Sequence, residues 1–387
     1  MDNRRDLALR VVVAGLLIAG LFAIRWDHSL QHFDFQTWTA SDAVLAADDN
    51  PYDSVELNAE LAGNPDIYGP HWATADDNTF DLHLLNPPSW LAQLRLFGMS
   101  AFVMSAVGAL ALYGSIVALS RRDPFIHALA YLGTTTLFLY LSPSATSFRL
   151  GQTGLLLAGL VGVRLVWAEC GSAGTSVALL SFKPHLALAA AAPDIVRSPL
   201  RFARSLAVPA TLLVGYSIVL YGVDPWFDWL RELTVSRNQG NTTDMSIRTL
   251  FPDFGVTSSL GLWGMAVAVI AIVAVTLRWR DTPPAVTALA ALALMAFLSG
   301  HAFSHDWLWM VLVPVVMKWR PLPTLIVGFT AGAIYTMYSD VSLDEITINP
   351  KSLLGLSVVI YLVAMTATQG PEPAVVVADP ELVEQPA

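Results

Sequence analysis

Apolar blocks separated by short polar turns run along almost the whole chain. A helix needs about 20 mostly apolar residues to cross a bilayer. The segments 7–24, 98–119, 125–141, 153–167, 206–221, 260–277, 284–298, 307–317, 322–338 and 353–367 are read as crossings of this kind. The segment 174–196 is also apolar but is interrupted by Lys183-Pro184-His185. Proline removes a backbone donor and kinks a helix, and a lysine at membrane depth is costly unless it faces a polar cavity. This segment is therefore either two short crossings or a broken re-entrant pair, an irregularity tolerated only where it is buried in protein or lines a wet cavity. The expected fold is all-α, a polytopic membrane helical bundle of about 11–12 transmembrane segments.

The turns between blocks alternate in character. Arg4-Arg5, Arg121-Arg122, Arg197 with Arg201 and Arg204, Arg278 with Arg280, and Lys318 with Arg320 mark one side. Cytoplasmic flanks collect Lys and Arg, so these turns and both termini are expected inside. The first block lacks a small-residue cleavage site after it and reads as an uncleaved span rather than a signal peptide. The stretch 26–90 that follows has many acids and no Lys or Arg, and it reads as a long extracytoplasmic loop. The turns 142–152, 222–259 and 300–306 are expected on that same face. Residues 1–368 are expected to form one domain, and the Pro-, Val- and Glu-containing segment 369–387 a disordered cytoplasmic tail.

Composition supports the membrane reading and excludes some partners. The chain is 55% hydrophobic and 13% charged, with a mean hydropathy of +0.55, whereas soluble domains carry roughly a quarter charged residues. A net charge of -10 argues against nucleic acid, because phosphate backbones call for a basic surface. One cysteine, Cys170, excludes an internal disulfide framework and a cysteine-based metal cluster. There is no Walker loop, dinucleotide fingerprint or Gly-x-Ser-x-Gly turn.

Several polar groups converge on the outer face under this topology. They are Asp34 after the first block, Arg149 and Gln152, the 238–248 region with Arg237, Asn241 and Arg248, and His305-Asp306. Lys183 reaches the same region from within the membrane. A carboxylate able to activate a hydroxyl, with cations able to hold a phosphate, suits group transfer from an anionic lipid carrier. Each feature also has a plainer reading. A loop aspartate is commonly solvated or a helix cap, Gln152 can simply open a helix, and His305-Asp306 beside Trp307 and Trp309 can be an interfacial anchor. Arg149, Arg231, Arg237 and Arg248 can bind lipid headgroups. His28, His32 and Asp34 form a further option, a divalent metal site. Lys183 is the hardest to explain as packing, because an ionisable group in a hydrophobic run is a functional candidate by default.

The order of these motifs resembles that of glycosyltransferase family 87, the polytopic polyprenyl-phosphate-mannose-dependent mannosyltransferases with the C-type fold. Asp34-Phe35-Gln36-Thr37-Trp38 followed by Asn50-Pro51-Tyr52-Asp53 is similar to the family's Asp, aromatic, Asn-Pro-Tyr opening. Asn86-Pro87-Pro88 is similar to its entry to the second span, Gly151-Gln152-Thr153-Gly154-Leu155-Leu156 to its Gly-Gln-x-x-Leu-Leu segment, and Phe182-Lys183-Pro184-His185 to its helix break. Asn241-Thr242-Thr243 and Ser304-His305-Asp306 are similar to its Asn-x-Ser loop and its His-containing segment near the end. The resemblance implies an enzyme of the bacterial plasma membrane that moves a hexose, mannose above all, from a polyprenyl-phosphate sugar to a glycolipid or glycan acceptor on the extracytoplasmic face, with inversion. It implies Asp34 as general base, with His305 also in the catalytic group. Arg149, Gln152, Lys183, Arg237 and Arg248 would lie at the donor phosphate, and Tyr52, Asn241 and Asp306 at the acceptor or sugar. No metal or other cofactor is expected. The alternatives are a carrier for a polyprenyl-linked sugar and a metal-assisted transferase in which Asp34 and His32 hold the cation.

Overall fold

The computed structural model describes residues 12, 15, 33–68, 86–119, 153–167, 173–234, 245–250, 259–299, 304–336, 341–343 and 346–368. The protein is an all-α polytopic bundle, joined among the described residues by one small hairpin that pairs Val341–Leu343 with Ile346–Ile348. Three of the described helices are long and apolar enough to cross a membrane: α5 (Ala101–Leu119), α9 (Pro199–Tyr221) and α16 (Pro350–Thr368). The expected crossings at 7–24 and 125–141, and the tail at 369–387, lie outside the described residues apart from positions 12 and 15.

The centre of the bundle is α13 (Pro284–Leu298). Its residues from Val286 to Phe297 are all buried, as expected of a helix that is apolar on every side. It packs against α8 (Pro184–Arg197), α12 (Ser259–Arg278) and α16. α9 is the opposite case. Leu200, Val208, Leu212 and Val219 stand exposed along it, which is the surface a helix presents to lipid rather than water.

The tightest pairing is between α5 and α6 (Gly154–Trp167). A Cβ on Gly159 would sit 2.4 Å from the Gly108 carbonyl oxygen, and one on Gly108 would sit 2.4 Å from the backbone of Leu155. Small residues let helix backbones approach this closely in membranes, where van der Waals packing drives association.

Two segments read as simple connections or spans have more structure than that. The 26–90 stretch is largely helical where described: α1 (Phe33–Ala46), α2 (Ser54–Gly63), α3 (Pro65–Tyr68) and the start of α4 (Pro88–Leu96). Asp48, just beyond α1, takes φ 67, the left-handed conformation that closes many helices. The segment 304–312 is a nine-residue 3-10 helix, followed by the short α14 (Val313–Val316). Pro314 lies two residues past it and has no N–H to continue an α ladder. In a 3-10 helix residues three apart eclipse, so Asp306, Trp309 and Leu312 share one edge, and all three are buried.

The break expected within 174–196 is present. α7 (Ala173–Leu179) passes into a 3-10 turn, Leu180–Phe182, and α8 starts at Pro184. Proline pushes the residue before it out of the helical region, and Lys183 takes φ -129 and ψ 74. Neither half reaches the length of a full crossing by itself.

Candidate functional site

Lys183 is held by this break rather than by a helix. Its Nζ lies 2.6 Å from Oδ1 of Asp306, whose side chain is fully buried at the start of the 3-10 helix Ser304–Leu312. A lysine inside an apolar segment and an aspartate from a distant one thus neutralise each other, which removes the cost of burying either charge unpaired. His305 immediately precedes Asp306 on that 3-10 helix.

On the other side of Lys183 the carbonyl of Phe182 accepts a hydrogen bond from Nδ2 of Asn86 at 3.1 Å. Oδ1 of the same amide accepts from Nε1 of Trp38 at 3.2 Å, and the Asn86 carbonyl accepts from the Tyr52 hydroxyl at 3.0 Å. Packing follows the same route: Trp38 meets Trp90 edge to face at 5.4 Å, and Trp90 tilts against Phe182 at 4.7 Å. Gln93 of α4 adds a bond from Nε2 to the Ser181 hydroxyl at 3.4 Å.

Asp34 occupies the first turn of α1. Positions 34, 38 and 42 fall four apart, which puts them on one helix face. Two of those positions bind the bundle. Trp38 bonds Asn86, and Asp42 accepts from the Tyr221 hydroxyl at 2.5 Å through Oδ1 while its Oδ2 lies 3.4 Å from Nε of Arg95. Trp38 and Asp42 thus mark the face of α1 that meets α4 and α9.

The Asn50-Pro51-Tyr52-Asp53 motif is a locked turn. The Asn50 side chain accepts from the Tyr52 amide at 2.9 Å, the Asn50 amide donates to the Glu56 carboxylate at 2.6 Å, and Asp53 caps α2 by accepting from the Val55 amide at 2.9 Å. A side-chain oxygen at this position satisfies a helix-end N–H that has no partner within the helix. Tyr52 is buried. Burial raises its phenol well above the ordinary 10.0, with the nearby Asp228 and Tyr221 adding to the shift.

The structure thus brings Lys183, Asp306 and Tyr52 into one connected set with the helix that bears Asp34. Tyr52 and Asp306, expected at the acceptor or sugar, have polar atoms committed to Asn86 and Lys183. Arg248 lies in α11 (Ile247–Leu250), which packs against α16 and α13. Arg149, Gln152, Arg237 and Asn241 lie outside the described residues, as do His28 and His32 of the possible metal site. Among the described residues no group of three or more His, Cys, Asp or Glu is placed to hold a metal.

Three features add to the residues expected from the sequence. Asn86 was read only as part of a helix entry, yet it links α1, the Tyr52 turn and the Lys183 break. Asp42 was one acid among many, and its pairing with Arg95 and Tyr221 has no local signature. Arg164, in the last turn of α6, is fully buried and paired with Asp194 of α8. The signal for that pair was present, since each is an ionisable residue inside an apolar block.

Residues 80–304, more than half of the chain, match the sequence model of glycosyltransferase family 87. Comparison with curated proteins and with solved structures returns no match.

Proposed function

Because the chain belongs to glycosyltransferase family 87, we propose that it transfers a hexose, mannose above all, from a polyprenyl-phosphate sugar to a glycolipid or glycan hydroxyl. The reaction takes place on the extracytoplasmic face of a bacterial plasma membrane. Residues 1–368 form one polytopic domain with both termini inside, residues 26–90 are its catalytic loop, and 369–387 form a cytoplasmic tail. The observation that carries the site assignment is the meeting of Asp34's helix and the Lys183 break at Asn86.

Asp34 acts as general base. Its carboxylate takes the acceptor's hydroxyl proton as the oxygen attacks the anomeric carbon from the face opposite the phosphate. The new C–O bond forms as the bond from the anomeric carbon to the phosphate oxygen breaks, and the sugar inverts. The strategy parallels the carboxylate that activates water in inverting glycosidases. Polyprenyl phosphate departs as an anion, so its leaving depends on nearby positive charge more than on an acid. Lys183, Arg149, Arg237 and Arg248, with Gln152, are assigned to that phosphate. The ammonium of Lys183 carries three N–H donors, so contact with Asp306 leaves capacity for a phosphate oxygen. His305 is assigned to the reacting centre. Tyr52, Asn241 and Asp306 are assigned to the acceptor and sugar side, Tyr52 and Asp306 acting through the groups they hold. Metal-independent transfer is expected, because the cations named here can stabilise the leaving group.

The test is an incubation of the purified full chain in lipid nanodiscs with radiolabelled polyprenyl-phosphate mannose and a membrane lipid extract as acceptor. A new glycosidic product that forms equally in the presence of EDTA supports the proposal. Loss of product with EDTA, restored by a divalent cation, overturns the metal-independent mechanism. In proteoliposomes, movement of the labelled lipid between leaflets with no glycosidic product overturns the transferase assignment in favour of a carrier.

A further inference from the structure

Asn86 stands where three separate parts of the chain meet, and both ends of its amide are used. The oxygen end takes the Trp38 indole N–H, and the nitrogen end gives a hydrogen to the Phe182 carbonyl. A side-chain amide offers an acceptor oxygen and a donor nitrogen on one carbon, pointing to opposite sides. The two prolines that follow have no backbone N–H, and Pro87 is fixed in an extended conformation at φ -68 and ψ 155. The side chain of Asn86 therefore sits on a stiff support.

The partners explain what the bridge does. Trp38 is one helical turn from Asp34 on the same face of α1. Phe182 ends a 3-10 turn, where carbonyls lack partners within their own helix, and Lys183 is the next residue. One bond thus holds the carbonyl of the peptide that leads into Lys183, and the other holds the helix that carries the carboxylate. The ring contacts of Trp38, Trp90 and Phe182 run beside the bridge. They supply packing that does not depend on the amide, whereas the amide alone fixes distance and direction.

We infer that Asn86 is a positioning residue that sets the separation between the Asp34 helix and the Lys183 ammonium, and so between base and donor phosphate. This inference rests on the transferase reading given above. A displacement near 1 Å of reacting groups can cost on the order of 10²-fold in rate, so a bridge two side-chain bonds long is sufficient to matter.

The experiment compares Trp38→Phe, Asn86→Leu and Asp34→Asn in the full chain in nanodiscs, with polyprenyl-phosphate mannose as donor and a membrane lipid extract as acceptor. Trp38→Phe keeps the ring and cuts only the α1 end of the bridge. It is expected to lower kcat on the order of tenfold while donor KM stays within about twofold. Asn86→Leu cuts both ends, so kcat is expected to fall on the order of tenfold and donor KM to rise about tenfold. Adding Trp38→Phe to Asn86→Leu should cost nothing more in kcat, since the bond it removes is already gone. Where Asn86→Leu fails to fold, Asn86→Asp keeps the acceptor for Trp38 and drops the donor to Phe182, and it is expected to raise donor KM with little change in kcat. Losses that follow melting temperature and divide equally between kcat and KM in all variants overturn the inference, as does additivity of the two changes. Asp34→Asn distinguishes loss of the positioning role from loss of the base. If that variant is inactive while the Asn86 and Trp38 variants match the parent, the positioning inference alone falls. If Asp34→Asn turns over normally, the assignment of the base falls first.

Discussion

At the scale of single residues, the pair formed by Lys183 and Asp306 sets the electrostatic character of the site. Removing one member of a buried ion pair leaves the other charge stranded, at a cost of about 3–5 kcal/mol, whereas replacing both by apolar groups is often neutral. Lys183→Met is accordingly expected to lower the thermal midpoint sharply, and Lys183→Met combined with Asp306→Leu to recover most of the loss. A double variant no more stable than Lys183→Met would show that the two charges do not offset each other. The recovered fold should still bind donor about 10–100-fold more weakly, because the charged hydrogen bond proposed between Lys183 and the donor phosphate is gone. Tyr52 gives a second expectation. Its phenol is held protonated by burial above the ordinary 10.0, so the folded state retains a proton that the unfolded chain releases. This contribution is complete below pH 10 and is lost as pH rises through the raised value of the folded state. Melting curves should fall above pH 10 in the parent and fall less steeply in Tyr52→Phe. An identical alkaline slope in both would remove Tyr52 as a source.

At the scale of elements, the two helix pairs that matter are α5 with α6 and α1 with α4. Gly159→Val places methyl groups against the Gly108 carbonyl, where a single Cβ already comes to 2.4 Å. Overpacking of this kind costs about 1–3 kcal/mol. Gly114→Ala, on the same helix as Gly108 but with nothing within 4 Å of the added Cβ, should be neutral or stabilising by up to about 1 kcal/mol. Equal melting temperatures for these two variants would contradict the close-packed seam. The element scale also shows what the sequence can and cannot reveal. Apolar runs located α5, α12, α13 and α16 to within a few residues, because a span must satisfy its backbone internally and bury or face lipid along its whole length, whereas α9 starts at Pro199, ahead of the expected 206, with Arg201 and Arg204 in its first turns. The break at Lys183 was equally legible, since Pro184 dictates it. The 3-10 winding of 304–312 was not, because apolar composition there is the same for either helix and only Pro314 hints at the change. The helices inside 26–90 were hidden by their polarity. They are ordered by tertiary bonds such as Trp38 to Asn86 and Tyr221 to Asp42, which join residues 48 and 179 positions apart.

At the scale of the whole molecule, the account requires that the Asp34 helix and the basic turns lie on opposite sides of the bilayer. In a Cys170→Ser background, a cysteine at the exposed Asp53 should react with an impermeant maleimide in intact cells. One at the exposed Arg280 should react only after permeabilisation. The reverse pattern would invert the topology and place the site on the cytoplasmic face. Motif order picked out Asp34, Lys183 and Asp306 as candidates, but the link between their segments through Asn86 was not legible. That information resides in contacts between segments such as Asn86 and Phe182, 96 positions apart, for which no local pattern exists. The central claim is that the carboxylate of Asp34 removes the acceptor proton, and the most direct measurement is single-turnover transfer by Asp34→Asn alongside equilibrium binding of polyprenyl-phosphate mannose. The account predicts a loss of roughly 10²–10⁴-fold in the chemical step, with donor affinity unchanged. Transfer at the parent rate, or a loss explained entirely by weakened donor binding, would contradict it.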